Sequence, residues 1–205
     1  MLILNFKTYK KGAGTLNLLR LIERYNKKAI ACLQPGDLCL VKETRLKVFS
    51  QHVDFEKKGR GTGFLTPSSL KASGVKGSLL NHSEHPVSLS TIKWTVRDCN
   101  RLKIKLIVCA SSIRQVREIK KLRPFAIAFE DPKLISTGKS ITKSEPKKIL
   151  EFVKELSRTK IIPICGAGIS KGEDYNEAIK LGCSGALVSS AVAKSKNPTK
   201  FLKGI

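Results

Sequence analysis

Eight short apolar runs recur along the chain, at 2–6, 29–33, 47–51, 77–81, 105–110, 125–130, 161–165 and 185–189. Most are nearly continuous rather than strictly alternating, which is the pattern of a strand buried on both faces. The stretches between them carry helical spacing. Ile113, Val116, Ile119 and Leu122 repeat every third residue after Ser111-Ser112. Ile149, Leu150, Val153 and Leu156 follow Ser144 and Pro146, a helix-start signal. Leu16, Leu19 and Tyr25 mark the first helix, and Leu89, Ile92, Val96 and Cys99 mark the one after the fourth run. Ser170 and Glu173 have capping-box spacing, and Gly182 sits where that helix should stop.

Strand-then-helix alternation predicts an α/β fold with a parallel sheet. Eight units in 205 residues, about 26 residues each, predict one domain over 1–205: a (β/α)8 barrel with brief helices and tight loops. The alternative is a doubly wound open sheet. It lacks its usual support, because no Gly-x-Gly-x-x-Gly follows the first run.

Composition narrows the class of molecule. No apolar run approaches the ~18 residues of a membrane span, and the apolar part of the N-terminus is too short for a signal peptide. A cytoplasmic protein is therefore expected. The six cysteines form no Cys-x-x-Cys pair and mostly lie inside apolar runs, so reduced, buried thiols are expected and no metal site. The charge is unusual: 39 Lys+Arg against 16 Asp+Glu give +23. That balance attracts polyanions. Its basic residues are spread along the chain in pairs such as Lys10-Lys11 and Lys120-Lys121, without a long basic run, so nucleic acid is expected to bind only non-specifically, if at all.

Polar residues gather at one end of the predicted strands. Asn5 and Lys7 end the first, Gln51 and His52 the third, Asn81-His82-Ser83-Glu84 the fourth and Glu130 the sixth. Barrel active sites are built at the C-terminal rim, so this is the distribution of an enzyme. Each residue also has a plain structural reading: Lys7 as one more solvated lysine, His82 as a helix-start histidine, Glu130 as half of an ion pair. Glu130 resists that reading most, because it closes an apolar strand where burial would raise its pKa and strengthen it as a base. Small residues in Gly166-Ala167-Gly168 and Ser189-Ser190 follow the last two strands. That is the usual phosphate position in such barrels, where backbone N–H groups can approach an anion.

Taken together, Asn5-Phe6-Lys7, Asn81-His82-Ser83-Glu84, Glu130 with Pro132 and Ser136-Thr137-Gly138, and Cys165-Gly166-Ala167-Gly168-Ile169-Ser170 resemble triosephosphate isomerases. Gln51-His52-Val53-Asp54 and the Asn before the histidine resemble the short archaeal form. The resemblance runs from residue 4 to beyond 190. It implies a barrel that interconverts dihydroxyacetone phosphate and glyceraldehyde 3-phosphate through an enediolate, without metal or cofactor. By position it implies Glu130 as base, His82 as electrophile supported by Ser83 and Glu84, and Lys7 as substrate clamp beside Asn5. It implies a phosphate held by Lys7 and by backbone amides at Ser136, Gly168, Ser189 and Ser190. It further implies a homodimer or homotetramer docked through the loop around Thr62. A lid from 131 to 138 is expected, in which Asp131 stands where the family has proline and places negative charge beside Glu130. Residues 83–86 are expected to open a helix that keeps His82 neutral. Two rivals stay open: another sugar-phosphate isomerase or epimerase, and a polyanion-binding protein on a vestigial barrel.

Overall fold

Eight strands close on themselves in chain order: β1 (Leu2–Asn5), β2 (Ile30–Leu33), β3 (Lys47–Ser50), β4 (Gly77–Leu80), β5 (Lys105–Ala110), β6 (Ala126–Phe129), β7 (Ile162–Cys165) and β8 (Gly185–Val188). All are parallel, and β8 returns to pair with β1. The computed structural model describes residues 1–55, 59–131, 134 and 140–205. All eight predicted strands are present, within a residue or two at each end.

Successive strand residues point to opposite faces, and here both faces are buried. Ile3, Cys32, Phe49, Leu79, Ile107, Ala128, Ile164 and Leu187 belong to one core, which fills the barrel. Their strand neighbours Leu4, Leu33, Val48, Leu80, Val108, Ile127 and Val188 belong to a second, between the sheet and the helices. Two apolar faces, each of period two, add up to the unbroken apolar runs of the sequence.

Around the sheet run α1 (Ala13–Tyr25), α2 (Pro67–Ala72), α3 (Leu89–Leu102), α4 (Ile113–Lys120), α5 (Ile141–Ser144), α6 (Pro146–Leu156), α7 (Gly172–Lys180), α8 (Ser190–Ala193) and α9 (Pro198–Lys203). The expectation of a helix in every unit needs correction at the second, where a 3₁₀ segment (Pro35–Glu43) joins β2 to β3. That segment still has a structural task. Its buried Asp37 carboxylate accepts hydrogen bonds from Gly12 N–H at 2.8 Å and Thr15 Oγ1 at 2.6 Å, tying down the start of α1.

Three finer expectations also shift. The buried face of α1 is Thr15, Leu18, Leu19 and Ile22, while Tyr25 is exposed. On α6, Phe152 takes the core position beside Ile149 and Leu156, leaving Leu150 exposed. At α7 the capping carboxylate is Asp174, one residue beyond Glu173, and it accepts from the backbone N–H groups of Ser170 (3.0 Å) and Lys171 (2.9 Å). Gly182 ends that helix as expected, donating to the Ile179 carbonyl.

Candidate active site

The C-terminal rim begins with a backbone that leaves the ladder sharply. Lys7 has φ +45° and Asn81 has φ +58°, in the left-handed region where a side chain must be held by its surroundings. Side-chain hydrogen bonds hold both loops. Asn5 Oδ1 accepts from Lys7 N–H at 3.0 Å. Gln51 Nε2, from the end of β3, donates to the carbonyls of Lys7 (3.0 Å) and Cys32 (3.1 Å). Ser189 Oγ, from the end of β8, donates to the Asn5 carbonyl at 2.7 Å. Asn81 Nδ2 donates to the Cys109 carbonyl (2.8 Å), and its Oδ1 accepts from Val87 N–H (3.0 Å), fixing the turn that carries His82.

Three functional side chains converge on this frame. Lys7 Nζ donates to Glu84 Oε1 at 2.6 Å, with the lysine largely covered and the glutamate more than half exposed. His82 Nδ1 accepts from the Glu84 backbone N–H at 3.2 Å. A neutral imidazole bonded in this way carries its proton on Nε2. Nε2 faces Glu130 Oε1 at 3.4 Å.

Burial and the Lys7 ammonium hold the His82 pKa below its usual value, against a smaller opposing pull from Glu84. The expected helix dipole is not the cause: 82–85 form a single turn closed by the His85 N–H on the His82 carbonyl, and α3 begins only at Leu89 behind its cap Ser88. Glu130 is 2% exposed. Burial pushes its pKa up to about 8, with the Ser83 backbone N–H and Lys7 working in the opposite direction. Asp131 was expected to contribute to that rise, but its carboxylate turns to Lys148 Nζ at 3.4 Å.

Gly166 makes room for the base. A Cβ there would stand 2.6 Å from Glu130 Cγ and 3.0 Å from the Phe129 carbonyl oxygen. Gly168 follows with φ +68°, a conformation open to glycine that turns the chain across the rim. The resulting cavity, about 220 Å³, is lined by Asn5, Lys7, His82, Glu130, Gly168, Ser189 and Ser190, all of them site residues expected from the sequence. Tyr9, Gly166, Ile169, Ser170 and Leu187 complete the wall. Glu84 borders an adjoining hollow of about 690 Å³, where His52 and His85 stack with ring centroids 3.9 Å apart. Ser83 lies behind Glu130. Ser136 falls outside the described residues, as does most of the expected lid.

Tyr9, Ile169 and Ser170 were not singled out as site residues. Gln51 and Asn81 were noted on the rim without a role, and a left-handed turn favouring asparagine was the one available signal for Asn81. Among the described residues no three His, Cys, Asp or Glu side chains converge as metal ligands.

Comparison with known proteins bears on this arrangement. The family model described as "Triosephosphate isomerase" matches residues 1–205. Curated proteins named triosephosphate isomerase resemble the chain over nearly its whole length. The one from Sulfolobus acidocaldarius is 34% identical (99% of this chain, 92% of that protein). The one from Methanocaldococcus jannaschii is also 34% identical (99% and 97%). The one from Saccharolobus solfataricus is 36% identical (99% and 93%). A crystal structure of triosephosphate isomerase from Bartonella henselae superposes with a TM-score of 0.75 at 18% identity, covering 99% of this chain and 96% of that one.

Proposed function

The chain belongs to the triosephosphate isomerase family, and from that premise we propose how its own residues carry out the isomerisation of dihydroxyacetone phosphate and glyceraldehyde 3-phosphate. The full-length family match leaves neither an epimerase nor a barrel without isomerase activity favoured.

Glu130 removes a proton from the carbon beside the substrate carbonyl and returns it to the neighbouring carbon. A raised pKa makes a carboxylate a stronger base, so burial serves the step directly. His82 Nε2–H donates to the carbonyl oxygen as negative charge develops there. As that oxygen takes up a proton the imidazole recovers one from the neighbouring hydroxyl, so that the proton lost by one oxygen is gained by the other and His82 ends neutral. Lys7 offsets the enediolate charge and draws in the phosphate. Backbone amides at Gly168, Ser189 and Ser190 complete the phosphate cradle. Ser189 precedes the short α8, where the Val192 and Ala193 N–H groups bond to its carbonyl, so the cradle is left to the N–H groups of Ser189 and Ser190 themselves. The observation that carries this reading is the 3.4 Å approach of His82 Nε2 to Glu130 Oε1 in a cavity that Lys7 also lines.

Replacing Glu130 with Gln removes the base and keeps the shape. We expect kcat to fall at least about 10²-fold, the lower range for a general base, while folding is retained. A variant keeping more than a tenth of the parent kcat would take the base role away from Glu130.

Self-association and a cytoplasmic location belong to the same proposal. The loop around Thr62 is exposed, as is Phe64 beside it. The hollow next to Lys7 and Glu84 has the position to receive such a loop from a second copy. No helix among the described residues is long and apolar enough to cross a membrane.

A further inference from the structure

The excess of positive charge is not distributed evenly in its effects. Between α4 and α6 it is cancelled: Arg117 pairs with Glu151 and Glu155, and Lys120 with Glu155. On α3 it is not. That helix has a single acidic residue, Asp98, which is buried and meets Arg97 at 3.5 Å. Lys93 and Arg101 form no salt bridge among the described residues.

The apolar residues Ile92, Val96 and Cys99 of α3 face inward, whereas Trp94, the one tryptophan of the chain, is 43% exposed on the other side. The Arg97 guanidinium lies 4.3 Å from its ring centroid and Lys93 Nζ lies 5.8 Å away. Lys93, Arg97 and Arg101 are spaced four residues apart, so they form one stripe of about 12 Å along the helix, with the indole beside it.

We propose that this face of α3 is a second binding surface, for single-stranded nucleic acid. A base stacks on Trp94 and the adjoining phosphates lie along Lys93, Arg97 and Arg101. An exposed aromatic ring among cations that outnumber their one acidic neighbour matches such a strand on both counts, since every base has a π-face and every linkage a negative charge. A second copy of the chain fits the face poorly, because it would set like-charged surfaces against each other. The surface is built from the outer side of α3, away from the residues assigned to isomerisation.

Because Trp94 is the sole tryptophan, fluorescence excited where the three tyrosines do not absorb reads this surface alone. Titration with a short oligothymidylate at low salt should quench it saturably, with Kd in the micromolar to sub-millimolar range and a log–log salt slope near −2 for three phosphates. Trp94→Ala should weaken binding of a labelled oligonucleotide about five-fold or more, and Trp94→Phe should restore most of it. Lys93→Ser, Arg97→Ser and Arg101→Ser combined should flatten the salt slope. Each variant should keep isomerase turnover, which also reports that it has folded. The proposal fails if heparin, a polyanion without bases, quenches as strongly as the oligonucleotide. It also fails if the Trp94→Ala or triple variant binds like the parent, or if only anionic vesicles or self-association alter the fluorescence.

Discussion

Glu130 is held in surroundings that favour its proton, and the same burial that strengthens it as a base acts against the folded state. Its folded pKa is raised from 4.5 to about 8. Folding is therefore helped by this residue below the carboxylate's unfolded pKa, and that help is lost as pH rises from there to about 8. At pH 8 and above the cost is on the order of a few kcal/mol. Glu130→Gln should accordingly melt at a higher temperature than the parent at pH 8, with the gap closing towards pH 4.5. Equal melting temperatures across that range would mean that the carboxyl is solvated. In the parent enzyme, kcat/KM should rise with pH up to about 8, as the empty site's base ionises. The sequence made Glu130, His82 and Lys7 visible because each ends or follows an apolar run. Gln51 and Asn81 were harder to see. What they do is bond to backbone 44 and 28 residues away, and nothing local marks those partners.

The order and number of strands were legible for a simple reason: eight buried strands need eight apolar runs, and the comparable run Leu38–Val41, too close behind β2 to start a new unit, belongs to the 3₁₀ segment. Helix faces were less so, since α1 and α6 each offer two apolar stripes and tertiary packing chooses between them. The 3₁₀ connection was hidden because its anchor, Asp37, bonds to Gly12 and Thr15 of another unit. The junction of β7 with its loop gives a test at this scale. In Gly166→Ala the new methyl meets Glu130 Cγ and the Phe129 carbonyl, so the base must move. A displacement of about 1 Å can cost about 10²-fold in rate. We expect kcat to drop at least about ten-fold, with a loss of roughly 1–3 kcal/mol in stability from overpacking. Gly36→Ala, where a Cβ meets nothing within 4 Å, is the control and should leave kcat unchanged. Parent-like kcat in Gly166→Ala would show that the carboxylate is not confined by the strand end beneath it.

Over the whole molecule, +23 is a field as well as a surface property. A dianionic triose phosphate should be captured faster at low ionic strength, and kcat/KM should fall as salt rises from about 0.01 to 0.15 M, where the Debye length shrinks from about 30 to 8 Å. A flat profile would mean that the field is neutralised before it reaches the rim. The two concentric cores have a different consequence, because the cysteines are divided between them. Cys32 and Cys109 lie inside the barrel, Cys99, Cys165 and Cys183 lie between sheet and helices, and Cys39 alone is exposed. The thiols therefore form a two-zone clock for the breathing of the native protein. A thiol-reactive dye should tag one site quickly. Slower tagging of the outer three would time the lifting of helices, and tagging of the inner two would time the parting of strands, which breaks a closed hydrogen-bonded ring. We expect the outer zone to be tagged first under mild denaturant. If all five are instead tagged at one rate, the jacket and the barrel open as a single unit.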